Sequence, residues 1–168
     1  AVLEALVDIG ELEDFASDTL PGFPDRLAEW MPALVEHRCS YDEHGGFLRR
    51  LREGTWPGHI MEHVVLELQT LAGMAGGYGR AREVSRRGVY KVAVNCWQEE
   101  VTRRALHGGR DLVMAAIENR PFDVAALVDG LPHSANVEYY ARIVREKSTL
   151  RNLIFASNKI LLSAYEAE

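Results

Sequence analysis

One segment, His59 to Leu71, constrains the fold more than any other: it is apolar around most of its circumference yet carries four ionisable groups. Thr55-Trp56-Pro57-Gly58 precedes it and reads as a helix start, with Thr55 as the candidate N-cap and Pro57 tolerated in the first turn. Glycines 73, 76, 77 and 79 follow and cannot easily continue a helix. A helix from about Gly58 to Leu71 is therefore expected. Ile60, Val64, Val65 and Leu68 give it apolar surface, so it belongs inside the molecule with a polar stripe lining a cleft. Unpaired imidazoles and carboxylates there would cost roughly several kcal/mol, so the stripe calls for an ion or for hydrogen-bond partners.

His59-Ile60-Met61-Glu62-His63 is an H-x-x-E-H pattern, the one named for inverted zinc peptidases. Residues four apart lie about 40° apart around a helix, so His59 and His63 emerge one turn apart on one face and can reach the same ion. Glu62 projects beside His63, placed to take a proton from water as a general base. Glu67 stands a further turn along and is expected as the third ligand of a Zn²⁺ ion. Three protein ligands and one open position describe a catalytic zinc, not a structural one. The alternative is a surface helix on which these residues merely pair as i,i+3 and i,i+4 neighbours.

Around this helix the sequence predicts an α+β fold, a small antiparallel sheet packed with several helices and ending in a C-terminal helical pair. Val2 to Ile9 alternates as a strand. Pro24 to about His37 has helical spacing at Leu27, Trp30, Met31, Leu34 and Val35. Cys39 to Gly46 reads as a connection or edge strand, and Phe47 to Leu51 as a short helix stopped near Gly54. Residues 82–84 and 88–94 form a hairpin around Ser85-Arg86-Arg87-Gly88. Helices follow at about 99–119 and 122–128, then a pair over 136–167 that bends near Ser148-Thr149.

Composition narrows the function. With 168 residues and a formal charge of −6, the chain suits one domain plus an appendage and gives little support to a nucleic-acid partner. No apolar run reaches the roughly 20 residues of a membrane span, and the first residues lack a signal-peptide pattern, so no membrane partner and a cytoplasmic location are expected. Cys39 and Cys96 lack C-x-x-C spacing and read as buried free thiols. Neither G-x-G-x-x-G after a strand nor a P-loop is present. His37, His44, His107 and His133 lack ligand spacing and read as structural or exposed; Trp30, Trp56 and Trp97 read as core or rim aromatics. Arg49, Arg50 and Arg52, with Arg80, Arg82, Arg86 and Arg87, form two arginine-rich segments that suit carboxylate ligands or simply a solvated face.

The ordered run from Val2 to Glu13, then Leu20-Pro21-Gly22-Phe23, His37-Arg38-Cys39-Ser40-Tyr41, Gly45-Gly46-Phe47 and Arg50-Leu51-Arg52-Glu53-Gly54-Thr55-Trp56 resembles the N-terminal domain of cyanophycin synthetase. The resemblance continues through Gly58-His59, Glu62-His63, Leu66 to Gln69, Leu71 to Met74 and Gly88-Val89-Tyr90, spanning residues 1–130 or so. It implies a module for cyanophycin, a polymer with a poly-aspartate backbone and arginine on each side-chain carboxylate. In that family ATP-dependent ligase domains, ATP-grasp and Mur-ligase-like, follow the module. The resemblance implies polymer binding and, in some members, zinc-dependent cutting of cyanophycin into primers. By position it makes His59, His63 and Glu67 the zinc ligands and Glu62 the base, with the arginines, Arg49, Arg50, Arg52, Arg80 and Arg82 among them, holding polymer carboxylates. The rival expectation is a non-catalytic polymer tether.

The C-terminal helices over about 133–168, with His133-Ser134-Ala135-Asn136 to Lys147 and Leu150 to Ile154, resemble instead the helical region closing the N-terminal domain of replicative DNA helicases. This divides the chain into a domain over 1–130 and a helical extension over 131–168. It also raises a third expectation, an oligomerising helical adaptor and hence a homo-oligomer.

Overall fold

The computed structural model describes residues 1–74, 77–131, 145 and 148–160. β1, Val2–Asp8, buries its odd side chains Leu3, Ala5 and Val7 more than its even ones, as period-two alternation requires. It pairs antiparallel with β3, Val89–Asn95, from Val2 opposite Asn95 to Asp8 opposite Val89. β2, Gly79–Glu83, pairs antiparallel with the other edge of β3, giving the order β1-β3-β2. Tyr90, Val92 and Val94 are buried, so one face of the sheet meets the core. The fold is α+β, as expected. The hairpin strand begins at Gly79, earlier than the expected residue 82, because pairing with β3 carries Gly79 and Arg80 into the ladder.

α1, Phe23–Trp30, stops short of the expected helix to His37. Met31 precedes Pro32, whose ring disfavours helical backbone in the preceding residue, and Met31 sits at φ −130°, ψ 69°. The chain continues as a 3₁₀ turn over Pro32–Glu36. Cys39–Tyr41 is a further 3₁₀ turn, so this stretch is a connection and not an edge strand. α2, Gly46–Glu53, follows and ends at Gly54, whose φ of 111° suits glycine.

α3, Pro57–Leu71, is the centre of the molecule, buried from Pro57 to Gln69 at every position but His59. The sheet packs on it through β2 and β3, and α4, Glu99–Ile117, packs on another side. Two close approaches make this possible. A Cβ on Gly58 would fall 2.2 Å from the Tyr90 ring, and one on Gly109 would fall 3.1 Å from Val65. Ile60, Val64, Val65 and Leu68 are fully buried, each contributing about 1.5–3 kcal/mol by leaving water. Gln69, also buried, donates to the Asn95 carbonyl (2.8 Å) and to Thr102 Oγ1 (2.9 Å), so it is compensated. α5, Val124–Asp129, is capped by Asp123, which accepts from the Ala126 N–H. Most of the expected C-terminal helical pair, with His133, lies outside the described residues; 148–160 is helical.

Candidate metal centre

The expected cap of α3 is absent. Trp56 occupies the N-cap position without a side-chain bond, and Thr55 Oγ1 lies instead 2.8 Å from His59 Nδ1. Thr55 is buried and held by Ser17, whose hydroxyl accepts from the Thr55 N–H and donates to the Leu51 carbonyl. The Thr55 hydroxyl thus orients His59, the first histidine of the helix.

His59 and His63 meet as helix geometry requires, Nε2 to Nε2 at 3.1 Å. A third donor comes from outside the helix. Cys39, in the 3₁₀ turn and at a left-handed φ of 54°, places Sγ 3.4 Å from His59 Nε2. Cys39, His59 and His63 form a group able to hold a metal, their donor atoms all within 4.8 Å of one another. Zinc–nitrogen and zinc–sulfur bonds at a tetrahedral ion imply donor separations of about 3.3 Å (N to N) and 3.6 Å (N to S), so the residues fit such an ion. The strained backbone at Cys39, costing of order 1–3 kcal/mol, is the kind retained where a side chain must point one way. Cys39 is therefore a half-buried member of the site and not the inert buried thiol expected from sequence.

Glu67, the expected third ligand, is placed elsewhere. It is buried, and its Oε2 lies 3.0 Å from His37 Nε2. His37 in turn sets its Nδ1 2.9 Å from His63 Nδ1. His37, expected to be structural or exposed, thus joins the cluster through the opposite edge of His63. Phe47, fully buried on α2, stacks on the His63 ring at 4.0 Å between centroids and meets His59 edge-on. Burial first, then the neighbouring His59 and His37 rings, push His63 down to about 3, and burial and Arg50 lower His59. Both rings are consequently neutral near pH 7, the form that binds metal.

Glu62 is buried beside this group, against β2. The Ala81 N–H donates to it, and a Cβ on Gly79 would fall 2.7 Å from its Cγ. Burial raises its carboxyl above the ordinary carboxylate range, outweighing that hydrogen bond. His37, Cys39, Arg50, His59, Glu62 and His63 line one cavity of about 710 Å³, with exposed Tyr78 at its wall. Of the expected substrate arginines only Arg50 lines it. Arg49 is engaged by Glu43 and Glu53, Arg52 by Asp25, and Arg80 and Arg82 are exposed on β2. His44 pairs with Glu36 at the surface, and His107 is exposed on α4.

Sequence comparison matches the cyanophycin synthase-like N-terminal domain model to residues 4–118. The chain belongs to this family. Cyanophycin synthetase of Geminocystis herdmanii is 46% identical over 104 residues, covering 62% of this chain and 12% of that protein. Cyanophycin synthetase of Crocosphaera subtropica is 38% identical over 144 residues, covering 86% of this chain and 16% of that protein. The chain thus spans 12–16% of the length of these relatives. The replicative DNA helicase DnaB of Geobacillus stearothermophilus is 51% identical over 45 residues, 27% of this chain and 10% of the helicase. The cyanophycin synthase-like match takes in every member of the metal group, together with Glu62, His37 and Glu67.

Proposed function

We propose that the chain binds cyanophycin and hydrolyses it, at a divalent-metal site held by Cys39, His59 and His63, to release primer-length fragments. The observation carrying this reading is the convergence of two neutral imidazoles and a cysteine from a separate loop beside a buried glutamate, inside one cavity. When bound there, zinc supplies Lewis acidity towards a scissile carbonyl and acidifies water. Glu62 receives the proton from the attacking water and returns it to the leaving amine. Its raised pKa brings it nearer working pH, where a general base is most effective. Phe47 excludes water from one side of the imidazoles and fixes their planes. Arg50, on the cavity wall, offers a guanidinium to a substrate carboxylate. We infer that ligase chemistry belongs to ATP-grasp and Mur-ligase-like regions outside the part of the relatives that this chain matches, and that the chain works in the cytoplasm. No helix among the described residues is long and apolar enough to cross a membrane.

Digestion of purified cyanophycin by the zinc-loaded chain tests the reading. Shorter polymer is expected, and Glu62→Gln should slow its release by about 10²–10⁴-fold with metal content unchanged. Polymer bound but never shortened by the loaded chain would favour the second reading, a tether for an attached ligase. That alternative is supported by the chain matching only a small part of each cyanophycin synthetase.

A further inference from the structure

Behind the metal group runs a continuous row of contacts at hydrogen-bond distance. Thr55 Oγ1 meets His59 Nδ1 at 2.8 Å, His63 Nδ1 meets His37 Nδ1 at 2.9 Å, and His37 Nε2 meets Glu67 Oε2 at 3.0 Å. A neutral imidazole has one N–H and one lone pair, and an ionised carboxylate can only accept. With His37 neutral, its proton therefore sits on Nε2, facing Glu67. That leaves His37 Nδ1 as an acceptor, so the proton of His63 must sit on Nδ1. The lone pair of His63 is then on Nε2, the atom 3.1 Å from His59 Nε2. The two histidines of the helix differ in this respect. Thr55 can donate or accept and so leaves the tautomer of His59 open, whereas His63 is locked.

We propose that His37 and Glu67 form a positioning dyad, held at hydrogen-bond distance along the His63–His37–Glu67 row, that fixes His63 in the tautomer and ring orientation required of a metal ligand. This rests on the Cys39, His59 and His63 site proposed above and assigns Glu67 a place behind it. Outer partners of ligating histidines typically change metal affinity about 10–100-fold when removed. The dyad extends the usual histidine–carboxylate pair by one ring. The negative charge of Glu67 thereby reaches His63 through His37, and both are shielded from water, Glu67 at 4% exposure and the His37 side chain at 15%.

Zinc affinity of the full chain, measured by competition with a chromophoric chelator, tests the dyad, with cobalt substitution reporting the ligands. His37→Ala and Glu67→Ala should each weaken zinc about 10–100-fold, and the double variant no more than the worse single one. His37→Gln, whose amide oxygen can accept from His63 and whose amide N–H can donate to Glu67, should restore most of the loss. The cobalt–thiolate absorption should persist throughout, and melting of the metal-free variants should show them folded. The dyad is overturned if Glu67→Ala releases metal as fully as His59→Ala while His37→Ala binds like wild type, since Glu67 would then be a direct ligand. Wild-type chain that takes up no zinc would overturn the metal site itself, a separate and recognisable failure.

Discussion

Gly79 has no space for a side chain: a Cβ would fall 2.7 Å from Glu62 Cγ and 3.0 Å from its Oε1. Gly79→Ala should therefore displace the carboxylate while sparing the metal donors. Since a misplacement of about 1 Å can cost roughly 10²-fold, kcat/KM on cyanophycin should fall at least about tenfold at unchanged metal content. The histidines also set an acid sensitivity for metal-free protein. His63 is held at about 3 when folded and His59 is lowered too, against an unfolded value of 6.5, so the unfolded chain binds more protons between those limits. Their contribution is whole above pH 6.5 and is lost as pH falls below it, by at most about 1.4 kcal/mol per pH unit per group. The raised Glu62 offsets part of this loss at the acid end. Melting of chelator-treated chain from pH 7.5 to 4.5 should show Tm falling below pH 6.5, and a Tm flat across that range would contradict the neutral, buried imidazoles. At this scale His59, Glu62 and His63 were legible, because one helix fixes their spacing. Cys39 and His37 were not, because only the loop returning across α2 brings them to the helix.

The element that delivers Cys39 is the turn before α2, and Gly46 is its fulcrum. A Cβ there would lie 2.0 Å from the Arg38 carbonyl oxygen, backbone against which no side chain can yield. Gly46→Ala should push the Cys39–Tyr41 turn off α2, costing about 1–3 kcal/mol. That amounts to a fall in Tm of roughly 2–4 °C per kcal/mol for a chain of this size. The variant should also lose most of the rise in Tm that zinc gives wild type; an undiminished rise would show that the turn does not carry a ligand. Elements are legible in the sequence where a local rule acts alone. β1 alternates visibly, and Pro57 and the glycines after Leu71 bracket α3. They are obscured where two signals compete. The helical spacing of Leu34 and Val35 hid the break that Pro32 imposes, and Thr55 looked like a cap because its use by His59 is tertiary.

At the scale of the whole molecule, the proposed boundary between domain and extension falls at the end of α5. Leu131 is buried in the core and Arg104 donates to the Gly130 carbonyl, so a chain ending after Leu131 should fold and keep its site. Residues 148–160, by contrast, form a helix whose Leu150, Leu153, Ile154, Phe155 and Ile160 are 53–73% exposed. We propose these exposed apolar residues as a surface for self-association. Light scattering should find the full chain above its 18.8 kDa monomer mass and the truncated one monomeric; a monomeric full chain would remove the oligomer from the proposal. The site itself is tested most directly by elemental analysis of the full chain purified without chelators, beside Cys39→Ser, His59→Ala and His63→Ala. The proposed ligands predict about one zinc per wild-type chain and a small fraction of that in each variant. Wild-type protein with no metal above the buffer blank, or variants that hold as much as wild type, would contradict them.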